Sequence, residues 1–264
     1  MNQSLIKELD NIRSLPEQYH KNVLYVSPKQ QNNIREKTIL FAGVGLGSVI
    51  AEAVLRIGFE KFILIDGDQV EKSNLNRQNY ISDNVGVSKV NAVKQRLLSI
   101  NPKAQIETHQ LFLTPENMDG FIKRCDIAIN AIDFDIASNS LLFDKICQKN
   151  KVPIVHPFNF GWAGAAYVIT PESDLMPIKS KKNTRYELTL IKDFIKKYKK
   201  KKGLKLDWFE KFLEDYSKYS SIISPPQLVV GSHLASAIVT NILFSLSNGI
   251  KVKTFPKSYF LSSR

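Results

Sequence analysis

The residues best suited to chemistry lie in one run. Residues 66–78 read DGDQVEKSNLNRQ, with two carboxylates, Asp66 and Asp68, followed in a turn-rich segment by Asn74, Arg77 and Gln78. Residues 62–65 (FILI) are apolar throughout, which predicts a strand inside a covered sheet with Asp66 emerging at its carboxyl end. Open α/β sheets bind ligands at that end. Upstream, residues 37–48 (KTILFAGVGLGS) supply another buried strand and a glycine-rich turn, then the apolar-spaced Val49, Ala53, Val54 and Ile57 of a helix. Strand, tight turn and helix make a phosphate cradle. Backbone N–H groups around Gly43, Gly45 and Gly47 can approach an anion more closely than a side chain would allow. Asp66 lies 23 residues after Gly43, close to the ~20-residue spacing at which an acidic side chain takes a ribose hydroxyl. For the loop alone, the plain alternative is a glycine turn that only packs a helix on a strand.

The elements that must position these residues alternate along the chain, the signature of a doubly wound, Rossmann-like α/β domain with a mainly parallel sheet. Strands are predicted at 38–42, 61–65, 104–108, 126–130, 152–156 and 165–169, and helices near 47–58, 86–99, 115–124 and 137–149. The 115–124 helix rests on Thr114 as cap and Pro115 at the first helical position. Residues 225–248 read as one long apolar helix ended by Gly249, and 251–255 with 258–261 as a closing strand pair. Leu188, Ile191, Ile195 and Tyr198, then Trp208, Phe212, Leu213, Tyr216 and Tyr219, fall at helical spacing, which predicts a helical hairpin inserted within 172–222. The chain divides accordingly into an N-terminal helical arm (1–36), a nucleotide-binding domain (37–171), the basic insertion (172–222) and a C-terminal part completing the same domain (223–264).

The run at 66–78 matches the pattern D-x-D-x-V-x-x-S-N-L-x-R-Q at every fixed position. With VGVSKVNAVKQRLLSINP (85–102) and CDIAINAID (125–133), it resembles the ubiquitin-activating-enzyme superfamily, in its compact ThiF/MoeB-type bacterial branch. The resemblance covers roughly 37–171 and 225–249. It implies ATP and Mg²⁺ as cofactors: Asp66 on the ribose, Asn74, Arg77 and Lys89 on the triphosphate with Gln78 beside them, Asp68 steadying the loop, and Asp133 as the magnesium ligand with Asp135 as its substitute. The charges suit the reaction. A carboxylate attacking an α-phosphate joins two anions, and fixed cations offset both the approach and the developing charge. Lys89 stands at a helix start, where a cation opposes the helix dipole, so an anion partner is the better reason for it than a solvated surface. Asp126 reads as a cap at the strand entrance.

Departures from the family limit the function. No CxxC pair is present, so a structural zinc site is not expected. Members that carry the acyl group on an internal thiol keep it in the crossover segment, here 172–222, which has no cysteine. Cys125 and Cys147 read as inert core residues. The loop G-V-G-L-G-S is one residue shorter than the usual form. The family's amino-terminal R-Y-x-R-Q motif, whose arginine reaches the partner subunit's nucleotide, appears here as QYHKN (18–22), leaving Lys21 to supply the charge. His156 follows a buried strand near the presumed site, while His20, His109 and His233 have no ligand-spaced neighbours. Trp162 lies either on the acyl channel or in the core as a plug.

With 264 residues and 43% apolar content the chain can bury a substantial core. The polar N-terminus and the lack of an apolar run near ~18 residues lead to an expectation of no membrane span and a cytoplasmic protein. Between Lys179 and Lys205 there are twelve Lys/Arg and two Asp/Glu, so this segment carries most of the formal net charge of +12. Such a field recruits an acidic partner or a polyanion.

The expected activity is that of a homodimeric ATP-dependent adenylyltransferase acting on the C-terminal carboxylate of a ubiquitin-like protein, a sulfur-carrier protein or a peptide. The alternatives are a tRNA threonylcarbamoyl-adenosine dehydratase-like enzyme, for which the lysines would bind tRNA, and an NAD-dependent oxidoreductase. The latter shares the glycine loop and the ribose acid but does not account for Asn74, Arg77, Lys89 and Asp133 together. The inactive half of a heterodimeric activating enzyme would normally lose these residues, so their presence argues for activity.

Overall fold

The computed structural model describes residues 13–132, 137–175, 186–201 and 203–264. Seven strands form one mixed sheet in the order β3-β2-β1-β4-β5-β6-β7: β1 Thr38–Ala42, β2 Lys61–Ile65, β3 Gln105–His109, β4 Ile127–Asn130, β5 Ile154–Asn159, β6 Ala163–Ile169 and β7 Ser258–Ser262. The strands from β3 across to β5 pair in parallel, and β6 and β7 add antiparallel at the far edge. The described α-helices are α1 Pro28–Glu36, α2 Gly45–Ile57, α3 Lys89–Ile100, α4 Met118–Ile122, α5 Ala137–Lys149, α6 Tyr186–Tyr198, α7 Asp207–Tyr219 and α8 Val229–Ser247.

Successive strand residues serve opposite cores. Ile39, Phe41, Phe62, Leu64, Ile127 and Ile129 join the helices α2, α3 and α8 on one face. Leu40, Ala42, Ile63, Ile65, Ala128 and Ile154 face α5, α6 and α7 on the other. Both faces are covered, which is why the central strands are apolar throughout. The basic insertion is continuous with the second core. The Phe194 ring of α6 lies 5.7 Å from that of Phe158, 5.0 Å from Phe160 and 5.2 Å from Tyr167.

α8 has the length and apolarity of a membrane-crossing helix, which the sequence reading had not expected, and half of that stretch is buried in the protein. It lies on β5, β6 and α2. The approach is so close that a Cβ at Gly164 would sit 2.2 Å from the Ala235 nitrogen. The N-terminal arm is docked as well. Gln31, fully buried, and Asn22 both donate to the Ile57 carbonyl at the end of α2, at 2.9 and 3.1 Å.

Several boundaries differ from expectation, each for a local reason. α2 begins at Gly45, so the turn after β1 is only Gly43 and Val44. The helix expected over 115–124 is reduced to α4: the Asn117 side chain takes the Thr114 N–H at 2.9 Å and donates to the Phe112 carbonyl at 3.0 Å, a local loop that competes with the helix. α8 starts four residues later than expected: Pro225, Pro226 and Gln227 remain outside it and the extended Leu228 is its N-cap. Residues 251–255 form no strand. Only the Phe255 N–H reaches β6, at the Val168 carbonyl, and Pro256 has no N–H to extend the pairing. Residues 1–12 of the arm lie outside the described residues, as do 179–185 and 202 of the basic segment.

Candidate functional site

A cavity of about 790 Å³ opens over the carboxyl ends of the parallel strands. The sheet order fixes its layout. Phe112 stands after β3, Asp66, Gly67 and Asp68 after β2, Gly43 and Gly45 after β1, Asn130, Ala131 and Ile132 at β4, and Phe158 to Phe160 at β5. Asn74, Arg77, Gln78 and Lys89 close one side; Glu187, Leu190 and Ile191 of α6 and Phe212 of α7 close the other.

The turn after β1 is built for close approach. Gly43 has φ +94°, and a Cβ there would fall 2.5 Å from the Ala131 carbonyl oxygen. Gly45 opens α2 and lines the cavity. Gly47 does not: it is buried on the other side of α2, where a Cβ would meet the Phe41 ring at 3.4 Å. Of the three predicted glycines, two face the cavity and one serves packing.

Asp66 is held by backbone donors. Its carboxylate accepts the Val44 N–H at 2.8 Å and the Asp68 N–H at 2.9 Å, so β2 is tied to the start of α2. Burial pushes its carboxyl up from the ordinary range, opposed by Lys89 and by those two N–H groups. Asp68 engages Lys89, whose Nζ donates to Asp68 Oδ2 at 2.8 Å. The Lys89 side chain is 9% exposed and that of Asp68 45%. The anion that a lysine at a helix start calls for is thus supplied, in this structure, by the chain itself.

Asn74 is buried, and its Oδ1 accepts the Glu71 N–H at 3.0 Å. Arg77 is anchored from two directions: Nε donates to Gln227 Oε1 at 2.9 Å, and Nη1 to the Ser73 carbonyl at 2.7 Å and Asn76 Oδ1 at 2.8 Å. Gln78 borders the cavity with its Oε1 buried and without a hydrogen-bond partner. Nothing in the sequence pattern marks Gln227, which falls within the span expected to be helical. Its role follows from the chain staying extended ahead of α8.

Beneath the β4 end lies a buried polar group of three. His156 Nε2 meets Asp144 Oδ1 at 2.6 Å, and Asn130 Nδ2 donates to the same oxygen at 2.9 Å and to the Ser140 carbonyl at 2.9 Å. His156 is therefore a core residue that braces Asn130. His20 contacts the Leu15 carbonyl, His109 pairs with Glu107, and His233 is exposed. Asp126 caps the strand entrance by accepting the Thr38 N–H at 2.8 Å. Trp162 lies off the cavity, under the Arg264 guanidinium at 3.9 Å from its ring centre. Lys21 is exposed on the 3-10 turn Glu17–Asn22 and does not line this cavity. Asp133 and Asp135 lie outside the described residues.

The cavity lining offers carboxyl and carboxamide oxygens and, among the described residues, no thiol. That donor set suits a hard cation with phosphate oxygens. No cluster of three or more His, Cys, Asp or Glu able to hold a metal occurs among the described residues. Cys125 and Cys147 sit away from the cavity, and burial pushes their thiols up, that of Cys125 to about 12.

The chain matches the ThiF family over residues 19–253. It is 44% identical over 97 residues to ubiquitin-like modifier-activating enzyme 5 of Caenorhabditis elegans, covering 36% of this chain and 23% of that protein. To the enzyme of the same name from Drosophila willistoni it is 45% identical over 96 residues, covering 36% and 24%. The chain thus spans about a quarter of the length of the curated relatives it matches. Among solved structures, E. coli MccB with MccA-N7isoASN superposes with a TM-score of 0.70 at 17% identity, over 99% of this chain and 74% of that one. PaaA superposes with a TM-score of 0.66 at 20% identity, over 100% and 81%. MccB has also been solved with ATP, and with AMPCPP and MccA together. At these identities the likeness establishes a shared fold.

Proposed function

Since the chain belongs to the ThiF family, we propose that it is an ATP-dependent adenylyltransferase. It converts the C-terminal carboxylate of a ubiquitin-like protein, a sulfur-carrier protein or a peptide into an acyl-adenylate and releases pyrophosphate. The observation that carries this reading is one cavity bringing Gly45, Asp66, Asn74, Arg77, Gln78 and Lys89 together at the carboxyl ends of β1 and β2. The names of the curated relatives, and the ATP and MccA complexes of MccB, support it.

In the proposed step a carboxylate oxygen forms a bond to the α-phosphorus, and the bond from that phosphorus to the bridging oxygen breaks. Pyrophosphate leaves with the electron pair. Arg77 offers a planar fork and Lys89 a point charge to offset the converging anions. The start of α2, with Gly45, faces phosphate oxygens, and Asp66 takes the ribose. Mg²⁺ would neutralise charge on the phosphates, with Asp133 as its proposed ligand. The acceptor of the acyl group is a separate molecule, since neither cysteine borders the cavity. A homodimer is part of the reading: Lys21, exposed and off its own cavity, is free to serve a partner's.

A dehydratase acting on tRNA shares this adenylation chemistry, and the exposed lysines at the end of α6 keep it as a second reading. The NAD reading does not account for Asn74, Arg77, Lys89 and Asp133 together. The test is ATP–pyrophosphate exchange dependent on a carboxylate substrate. Arg77→Ala and Asp133→Ala should each reduce it at least ~10²-fold. Binding of NAD without binding of ATP overturns the proposal.

A further inference from the structure

The cavity has two chemically different ends, and the sheet order separates them. The nucleotide end lies over β2 and β1, whereas β5 is three strand spacings from β2, or roughly 14 Å. At that far end the wall includes Pro157, Phe158, Asn159 and Phe160 from β5 and its turn, and its apolar part is completed by Leu190 and Ile191 from α6 and Phe212 from α7. The apolar residues border the cavity while packing mostly into the core behind it, Phe158, Phe160, Leu190 and Ile191 each being less than a tenth exposed. Two neighbouring rings, Phe158 and Phe160, lie nearly parallel with their centres 5.8 Å apart. Among the described residues, the acidic group in this part of the lining is Glu187, which is buried and accepts the Tyr216 hydroxyl at 3.2 Å.

A carboxylate attacking from beyond the α-phosphate must bring its adjoining residue to this end. A tail of two glycines offers only backbone there. It needs a narrow channel with hydrogen-bonding groups and gains little from an apolar wall. Resting on the adenylation reading, we propose that the acyl substrate carries a bulky apolar side chain on the residue bearing its reacting carboxylate, and that Phe158, Phe160, Leu190, Ile191 and Phe212 receive it. An acidic side chain is disfavoured there, since its charge would lose water against an apolar wall.

The experiment uses 5′-O-sulfamoyladenosines N-acylated with N-acetylglycine, N-acetylleucine, N-acetylphenylalanine or N-acetylaspartate, stable mimics of the acyl-adenylate, and measures their binding to the full chain by calorimetry beside ATP. The leucyl or phenylalanyl mimic should bind at least ~10-fold tighter than the glycyl mimic, the size of discrimination that an apolar pocket supplies, and the aspartyl mimic weakest. Ile191→Phe, which fills this end of the cavity, should bring the leucyl-to-glycyl ratio towards one. That ratio is internal to each variant and so is insensitive to a loss of folded protein. Normal ATP binding with the glycyl mimic equal or tighter overturns this inference and leaves adenylation standing. Failure of ATP and all four mimics to bind overturns both.

Discussion

Lys89 and Asp68 are joined twice: the Lys89 ammonium donates to the Asp68 carboxylate at 2.8 Å, and the Lys89 N–H donates to the Asp68 carbonyl at 3.0 Å. The start of α3 is thereby locked to the segment that leaves β2, and the cation at the cavity wall is held in place before any ligand arrives. Preorganised charge of this kind costs no reorganisation when a reaction needs it. It also ties the stability of the site to its chemistry.

Asp68→Asn should therefore leave a mostly buried ammonium without its charge partner, at a cost of about 1–3 kcal/mol. Urea denaturation of Asp68→Asn, Lys89→Met and the double variant measures this, and the two single costs should fall short of adding. If nucleotide phosphates take over Lys89, the rise in Tm on adding ATP should be larger in Asp68→Asn than in the wild type. Additive costs together with equal ATP shifts contradict the arrangement.

The two thiols should be chemically silent. Burial is the first cause of the raised values of both Cys125 and Cys147, with the Asp126 charge adding to the first, and the thiolate is the reactive form. In the native protein at pH 8 neither should react with an aromatic disulfide reagent within the time that guanidinium-unfolded chain takes to titrate both. Cys125→Ser should retain exchange activity, and the purified protein should contain no stoichiometric zinc. A substrate joined by thioester to either residue, detected by mass spectrometry, refutes this.

The parts of this molecule that follow from short-range pattern were legible in the sequence. Apolar runs located β1, β2 and β4 to within a residue, and the run at 66–78 located most of the groups on one side of the cavity. What escaped was decided by pairings distant in sequence. Arg77 meets Gln227, 150 residues away, and Asn76 and Asn159 donate to the Gln227 and Leu228 carbonyls, contacts that hold this segment ahead of α8. Gly47 and Gly45 are indistinguishable as letters, yet a rotation of two residues on α2 turns one to Phe41 and the other to the cavity. Helical spacing found the apolar faces of α6 and α7 but could not tell which of their residues pack on the sheet and which, like Ile191 and Phe212, also wall the cavity.

Glu52 should make the site sensitive to acid. It lies on α2, accepts from Arg96 of α3 at 2.8 Å, pairs with Arg56 at 2.8 Å, and takes the side-chain amide of Asn79, next to Gln78. Burial raises its carboxyl, but the bonds from Arg96, Arg56 and Asn79 outweigh it and hold the net value below the ordinary 4.5. A depressed carboxylate contributes stability that is present above its unfolded value and lost as pH falls through the folded one. Glu52→Gln should cost about 1–3 kcal/mol at pH 7, and the difference from wild type should shrink below about pH 4.5. A difference independent of pH would show that Glu52 acts by packing and not by charge.

The last prediction concerns the lysines at the end of α6, which are not equivalent. Lys197 places its ammonium on the Pro256 carbonyl and 5.2 Å from the Tyr167 ring centre, and partial burial pulls its pKa down. Lys199 pairs with Glu210, and Lys201 lies 4.7 Å over the Tyr198 ring. Reversing these would disturb the hairpin as well as its field. Lys196 and Lys200 are exposed, lie off the cavity, and are the cleaner probes. Lys196→Glu with Lys200→Glu should raise KM for an acidic carrier protein several-fold at low salt. The effect should fade as salt is added, because exposed charges are screened over ~10 Å at 0.1 M. ATP affinity should stay as in the wild type. Kinetics identical to wild type at every salt concentration would make this surface a solvated face and nothing more, and tight tRNA binding lost in the same variant would put the dehydratase reading first.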